Sequence, residues 1–265
     1  MSFALAIPHT PWVPARVESC KRVRPLMDGE GVISSRVFSD RAPNWQWSLE
    51  MWRWFVAQDA EWCVQLQDDV VPHPRFWQVL AAMLEGAPDA RFIGLHAGHP
   101  SGPALAARGT RWYRTRAWVV GVGWVMHRDL MRELVAWREA HEEHARRTNE
   151  DDLIGQFLAQ RGEYAWHPMP SIIDHDTSVP STYKNDSHSL RRPSVLWDEY
   201  DGVAMETSAF WRAEQVPVLA SPYANLCALC GAGQAVAMAP TGLGTCRVCL
   251  VRMVGAAMGL QLEER

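Results

Sequence analysis

Trp62-Cys63-Val64-Gln65-Leu66 is a short apolar-rich run that leads directly into Gln67-Asp68-Asp69 and then Val70-Val71-Pro72. A run of this length bounded by turn residues reads as a buried strand. Two adjacent carboxylates at its carboxyl end are costly unless something cationic meets them. Strand ends of an α/β sheet are also where ligand sites form. A divalent ion carrying a phosphorylated substrate would satisfy both charges. The competing reading is that Asp68 or Asp69 only caps a helix expected over 73–85.

Working outward, Phe3 to Ile7 is a first strand ended by Pro8, with Pro11 and Pro14 keeping the next loop extended. A helix is expected over 18–27, a turn at Asp28-Gly29-Glu30-Gly31, and a second strand over 32–38 that ends at Ser39-Asp40. Trp45, Leu49, Trp52 and Val56 recur at helical spacing. Further expected elements are a helix over 76–84, a strand over 91–95, and a strand-rich stretch over 110–125 broken by Gly121 and Gly123. Helices follow over 129–147 and 150–160. Strands alternating with helices imply an α/β sheet with parallel pairing. Composition changes near residue 215, which divides the chain into 1–215 and 216–265.

The 265 residues carry a net charge of −4, which argues against a protein that coats polyanions along its whole surface. Basic patches remain at Lys21, Arg22 and Arg24, at Arg111, Arg114 and Arg116, and at Lys184, Arg191 and Arg192. Fourteen tryptophans supply core packing and stacking surfaces. No apolar stretch reaches the ~18–20 residues of a membrane span, and the first fourteen residues lack the pattern of a signal peptide. With cysteines in a metal-like pattern, the chain reads as soluble and cytoplasmic, with no membrane partner. Cys20 and Cys63 read as plain buried thiols.

The ordered set of strand, loop, helix, strand ending in Asp40 and later strand ending in Asp68-Asp69 resembles the GT-A-fold glycosyltransferases over roughly residues 1–200. The resemblance implies a Rossmann-like mixed sheet flanked by helices and a nucleotide-sugar donor. It implies Mn²⁺ or Mg²⁺ on the diphosphate, held by Asp69, with Asp68 toward the sugar or ribose. Gln67 stands where many members carry a further acid. His9, Thr10 and Arg16 fall where that superfamily contacts the nucleotide, Arg16 on the diphosphate and Asp40 on ribose or base. Asn149-Glu150-Asp151-Asp152 resembles the Glu-Asp element of the inverting enzymes, where a carboxylate at a helix start is the acceptor's general base. Asp151 aligns with that base, and Asp152 and Glu150 are its neighbours. Acids in a first helical turn also favour the helix dipole. Gly121-Val122-Gly123-Trp124 would let backbone approach a sugar, with Trp124 an aromatic wall, although a β-bulge fits the glycines too. The 167–175 segment resembles a late strand ending near the metal. It makes His175 a candidate third ligand, with His188 its rival.

Cys227-Ala-Leu-Cys230, fifteen intervening residues and Cys246-Arg-Val-Cys249 have the spacing of a closed tetrahedral zinc site made of four thiolates. Pro240, Gly242 and Gly244 suit a hairpin tip, and the second pair would open a helix. The tail resembles a treble-clef or zinc-ribbon module with a structural Zn²⁺. The combined expectation is a metal-dependent glycosyltransferase. Its best acceptor is a hydroxylated (hydroxymethyl-type) pyrimidine in DNA, as in phage DNA modification, with DNA held through the zinc module. The alternatives are a cell-envelope or protein acceptor, a zinc-dependent nucleic-acid adaptor, and a nuclease using Asp68, Asp69 and Glu150.

Overall fold

The computed structural model describes residues 1–39, 44–176, 178–179, 195–197, 202–219, 235–238 and 244–246, the last two as backbone. β1 (Phe3–Pro8) pairs in parallel with β2 (Val32–Phe38) on one side and β3 (Trp62–Leu66) on the other. Its residues alternate between two cores. Phe3, Leu5 and Ile7 enter one, and Ala4 and Ala6 enter the other. A strand buried on both faces reads as a continuous apolar run, as this one does.

Eight strands form the main sheet in the order β10-β6-β8-β5-β7-β3-β1-β2. The remaining members are β5 (Phe92–Gly94), β6 (Trp112–Thr115), β7 (Gly123–His127), β8 (Ala165–Pro168) and β10 (Val218–Leu219). The sheet is mixed: β7 runs antiparallel to both β3 and β5, while β5 and β8 are parallel. α1 (Pro14–Val23) and α3 (Phe76–Gly86) pack on one face through Cys20, Val23, Phe76 and Leu80. α2 (Asn44–Ala57), α5 (Arg128–Ala140) and α7 (Glu150–Arg161) pack on the other through Trp52, Phe55, Leu134 and Phe157. The result is a three-layer α/β architecture with short α4 (Gly102–Ala106) and α6 (Glu142–Ala145) at its margin. Among the described residues no helix is long and apolar enough to cross a membrane.

Several expected boundaries move, each for a local reason. The first helix begins at Pro14 and not at residue 18, because a proline's fixed φ and missing N–H suit the first helical position. Its continuation, Arg24–Asp28, is a 3-10 helix, since Pro25 cannot donate the next helical bond. The helix expected over 129–147 divides at His141 into α5 and α6. The late 167–175 segment is two strands in different sheets. β8 ends at Pro168, and β9 (Ile173–His175) pairs antiparallel with β4 (Val70–Pro72) in a small second sheet. Past residue 219, β11 (Ala235–Met238) and β12 (Gly244–Cys246) pair antiparallel, and Pro240 and Gly242 between them lie outside the described residues. Gly244 is thus a strand residue and not part of a tip.

The segment from Gly202 to Leu219 is built into the main core. Trp211 is fully buried, and its indole donates to the Met205 carbonyl at 2.7 Å. The Trp112 indole donates to the Trp211 carbonyl at 2.6 Å. A Cβ on Gly86 would stand 2.7 Å from the Trp211 backbone, so only glycine permits this approach. Trp211→Ala should cost about 3–5 kcal/mol, the usual range for deleting a buried large aromatic. The measurement is the urea midpoint at unchanged m-value; a wild-type midpoint would remove this segment from the core.

Candidate functional site at the carboxyl end of the third strand

β3 delivers Asp68 and Asp69 to the carboxyl edge of the sheet, and both side chains are buried. The cation that meets them is Arg16, in the first turn of α1. Its Nη1 donates to Asp68 Oδ1 at 2.5 Å and its Nη2 to Asp69 Oδ2 at 2.7 Å. Asp68 Oδ2 also accepts from the Thr10 backbone N–H at 2.7 Å and lies 2.9 Å from His9 Nδ1. Asp68 is thereby saturated by the loop after β1 and the first turn of α1. It does not cap the following helix, whose N-cap is Arg75 with no side-chain cap bond.

Asp69 is held differently. The β4–β9 pairing sets His175 opposite Val70, the residue after Asp69. His175 Nε2 accordingly lies 3.1 Å from Asp69 Oδ2. The Asp176 backbone N–H donates to the Asp69 carbonyl at 2.9 Å. Burial pushes the Asp69 carboxyl up, but the His175 hydrogen bond and the Arg16 charge outweigh it, and the net shift is downward. Asp69 Oδ1 is buried without a hydrogen-bond partner. An open, ionised hard oxygen next to an imidazole is a donor set that fits Mg²⁺ or Mn²⁺ completed by phosphate oxygens and water. Among the described residues no three His, Cys, Asp or Glu side chains gather into a cage that could hold a metal by themselves.

The second group of acids reaches the same strand from the other face. Gln65 on β3 is buried between Glu150 and Trp124. With its amide oriented to satisfy both, its nitrogen donates to Glu150 Oε1 at 2.8 Å, and its oxygen accepts from Trp124 Nε1 at 3.3 Å. α7 is set close to the loop before β7 by a glycine: a Cβ on Gly155 would stand 2.7 Å from the Ala117 carbonyl oxygen. Ala117 itself adopts a left-handed φ of 55°. At the helix start, an ideal Cβ on Gly121 would contact the Asp151 Cβ at 3.4 Å. Gly121 and Asp151 are therefore neighbours across that gap. Burial, then the nearby Asp151 charge, push Glu150 up to about 8. Burial, then Asp152, push Asp151 up to about 6, and burial raises Asp152 as well.

Two expectations are corrected. Trp124 forms no wall of a cleft: it is fully buried in β7 against Phe55 and Phe92. Gly123 is likewise a packing glycine, since a Cβ there would meet Ile173 Cδ1 at 2.5 Å, and the β3–β7 register runs through it without a bulge. Asp40, His188, Cys227, Cys230 and Cys249 lie outside the described residues. Cys246 closes β12, where only backbone is described. Cys20 and Cys63 are free and buried as expected, and burial pushes Cys63 up to about 12.

A group of histidines escapes a reading of the sequence. His96 and His99 follow β5, and His167 lies on β8; all three are buried. His167 stacks on Tyr113 at 4.7 Å, and Trp118 packs against both His99 and His167. Burial, then the charge of His175, hold His96 down to about 4, so it is neutral at pH 7. The signal available is His96-Ala97-Gly98-His99 directly after an apolar strand. The basic patch at Arg111, Arg114 and Arg116 is engaged on aromatic faces. Arg111 covers Phe210, Arg114 covers Tyr164 and Trp166, and Arg116 donates to the Tyr164 hydroxyl.

The sequence matches no protein-family model and no curated protein. Solved structures to which the chain is similar include a mannosyltransferase from Pyrobaculum calidifontis in complex with GDP-Man and Mn²⁺. That match has 12% identity, 81% of this chain, 65% of that chain and a TM-score of 0.40. Another is a CMP:2-keto-3-deoxy-manno-octonic acid synthetase complexed with CTP, at 15% identity, 63% of this chain, 89% of that chain and a TM-score of 0.39. A third is a glycosyltransferase involved in the glycosylation of the major capsid of PBCV-1, at 11% identity, 52% of this chain, 67% of that chain and a TM-score of 0.27.

The raised carboxyl of Glu150 has a signed consequence for stability. Between its unfolded value near 4.5 and its folded value of about 8, the folded state holds the extra proton. Stability therefore falls as pH rises through that window. Glu150→Gln should flatten this slope, keeping roughly half or more of the stability that wild type loses between about pH 5 and about pH 8.5. Parallel wild-type and variant slopes in urea denaturation would show that Glu150 is not held in a low-dielectric site.

Proposed function

We propose that this chain is a nucleotide-sugar glycosyltransferase with its donor end at Asp68-Asp69 and its acceptor end at the start of α7. The observation that carries the reading is the convergence on β3 of two differently treated groups of acids. Asp69, with one oxygen open, stands at the strand's end; Glu150 binds Gln65 within the strand, and its neighbour Asp151, raised to about 6, stands across Gly121. An ordinary structural ion pair accounts for the first but not for the second.

In this reading Asp69 and His175 would hold a divalent ion on the donor diphosphate, which supplies charge neutralisation as the nucleoside diphosphate leaves. Asp68 acts on the donor indirectly. With its Oδ2 bound to Thr10 and His9, it fixes the loop after β1 against which a nucleotide would lie. Asp151 takes the acceptor hydroxyl's proton as that oxygen attacks the anomeric carbon, the bond to the diphosphate breaking on the opposite side with inversion. A base has to be ionised at the working pH with a pKa close to it, which at pH 7 favours Asp151 at about 6 over Glu150 at about 8. Glu150, protonated at pH 7, anchors the helix start to Gln65.

Three acids at the acceptor end suit an uncharged hydroxyl-bearing acceptor better than a polyphosphate. The expectation of a DNA pyrimidine acceptor rests on the cysteine tail. The residues beyond Leu219, with one Zn²⁺ on the four cysteines, are proposed as a structural module appended to a catalytic part that runs through β10, a few residues past the composition change near 215.

Calorimetry with nucleotide sugars tests the reading, which requires donor binding that depends on Mn²⁺. Asp69→Ala should abolish that binding while the melting transition survives, and retention of it would sink the metal assignment. Asp151→Asn should leave donor affinity near wild type and cut turnover by about 10²–10⁴, the usual scale for a lost general base. If turnover instead falls in Asp152→Asn alone, the base sits one residue further on.

A further inference from the structure

The two acids at the end of β3 already have a cation, and it belongs to the protein. Arg16 places one guanidinium nitrogen on each carboxylate, at 2.5 Å from Asp68 and 2.7 Å from Asp69, and all three side chains are buried. Asp68 has both oxygens bound, and Asp69 Oδ2 is shared between Arg16 and His175. Only Asp69 Oδ1 is open. A guanidinium that spans two carboxylates and a divalent ion that bridges them exclude each other. Even an ion on Oδ1 alone would stand close to a buried positive charge in a low-dielectric pocket.

We propose that Arg16 is a resident counter-cation that competes with the divalent ion for Asp68-Asp69. The inference rests on the donor-site reading above. Arg16 sits in the first turn of α1, beside the loop where a nucleotide would lie, so a diphosphate offers the guanidinium an alternative anion of equal or higher charge. Transfer of Arg16 from carboxylates to phosphate frees the acids for the metal. Metal and nucleotide then bind with positive coupling, and metal alone binds weakly. Arg16 is a positioning residue for the ion and not one of its ligands.

The test needs neither sugar nor turnover. Free Mn²⁺ is followed by electron paramagnetic resonance as it is titrated into full-length wild type, Arg16→Ala, Arg16→Lys, and Arg16→Ala combined with Asp69→Asn. Melting temperature is measured with and without Mn²⁺. Arg16→Ala should bind Mn²⁺ alone at least about fivefold tighter than wild type, the lower end of the usual coupling between two ligands. Its melting temperature should fall without the ion and recover with it. Adding Asp69→Asn should remove both effects. Arg16→Lys keeps the charge but loses the two-pronged guanidinium, and should show a smaller gain of the same sign. If Arg16→Ala does not fold, the lysine variant decides the matter. Mn²⁺ affinity unchanged or weakened in the folded variants, or melting that Mn²⁺ does not restore, would overturn the proposal and leave Arg16 a structural ion pair. That outcome is separate from failure of the transferase reading, which donor binding and turnover decide.

Discussion

Two carboxylates side by side at a buried strand end have to be compensated, and the compensation organises this half of the molecule. Arg16 can reach both acids only because Pro14 starts α1 where it does, which brings the helix's first turn over the end of β3. Arg22, two turns on, reaches Asp176 beyond β9. α1 is thus tied to the end of β3 and to the small β4–β9 sheet at once. Removing one partner of a buried charge cluster costs about 3–5 kcal/mol, because the survivors remain desolvated. The loop after β1, the first helix and the late strand are held in register by that penalty.

How much of this is legible in the sequence depends on the range of the interaction. Strands β1, β2 and β3 and helices α2, α3 and α7 follow from local apolar spacing, which determines which face an element can bury. Helix starts are harder. Pro14 reads as a loop residue because a proline's conformational restriction is shared by loops and first helical turns. The site residues divide similarly. Asp68 and Asp69 announce themselves, since adjacent buried acids are rare without a reason. Arg16 stands out as a nucleotide-side residue, but its placement on the acids depends on contacts across more than fifty residues, which no local pattern encodes. Trp124 next to two glycines reads as the aromatic wall of a sugar site. The strand it belongs to is central in the sheet, so both of its faces are covered.

The histidines His96, His99 and His167 show a different limit. Each alone reads as an ordinary residue, and their meeting depends on β5 and β8 being parallel neighbours although some seventy residues separate them. The same pairing lets the Ser171 hydroxyl accept from the Ala97 N–H at 2.7 Å, closing the chain over the histidines. Burial holds His96 and His167 neutral at pH 7, and His99 and His167 pack on Tyr113 and Trp118, so this corner is an aromatic support for the strand ends.

Gln65 gives the molecule an internal reporter. Its amide is ambidextrous: one end faces the Glu150 carboxyl and the other takes the indole proton of Trp124. The amide nitrogen donates to the carbonyl oxygen of a neutral carboxyl and, more strongly, to a carboxylate, and the amide oxygen is polarised in step. The side chain thereby links the charge on Glu150 to the strength of a single indole hydrogen bond. Trp124 is sealed from solvent, so its indole proton resonance exchanges slowly and stays visible. Its chemical shift as a function of pH is a spectroscopic view of Glu150 from inside the core.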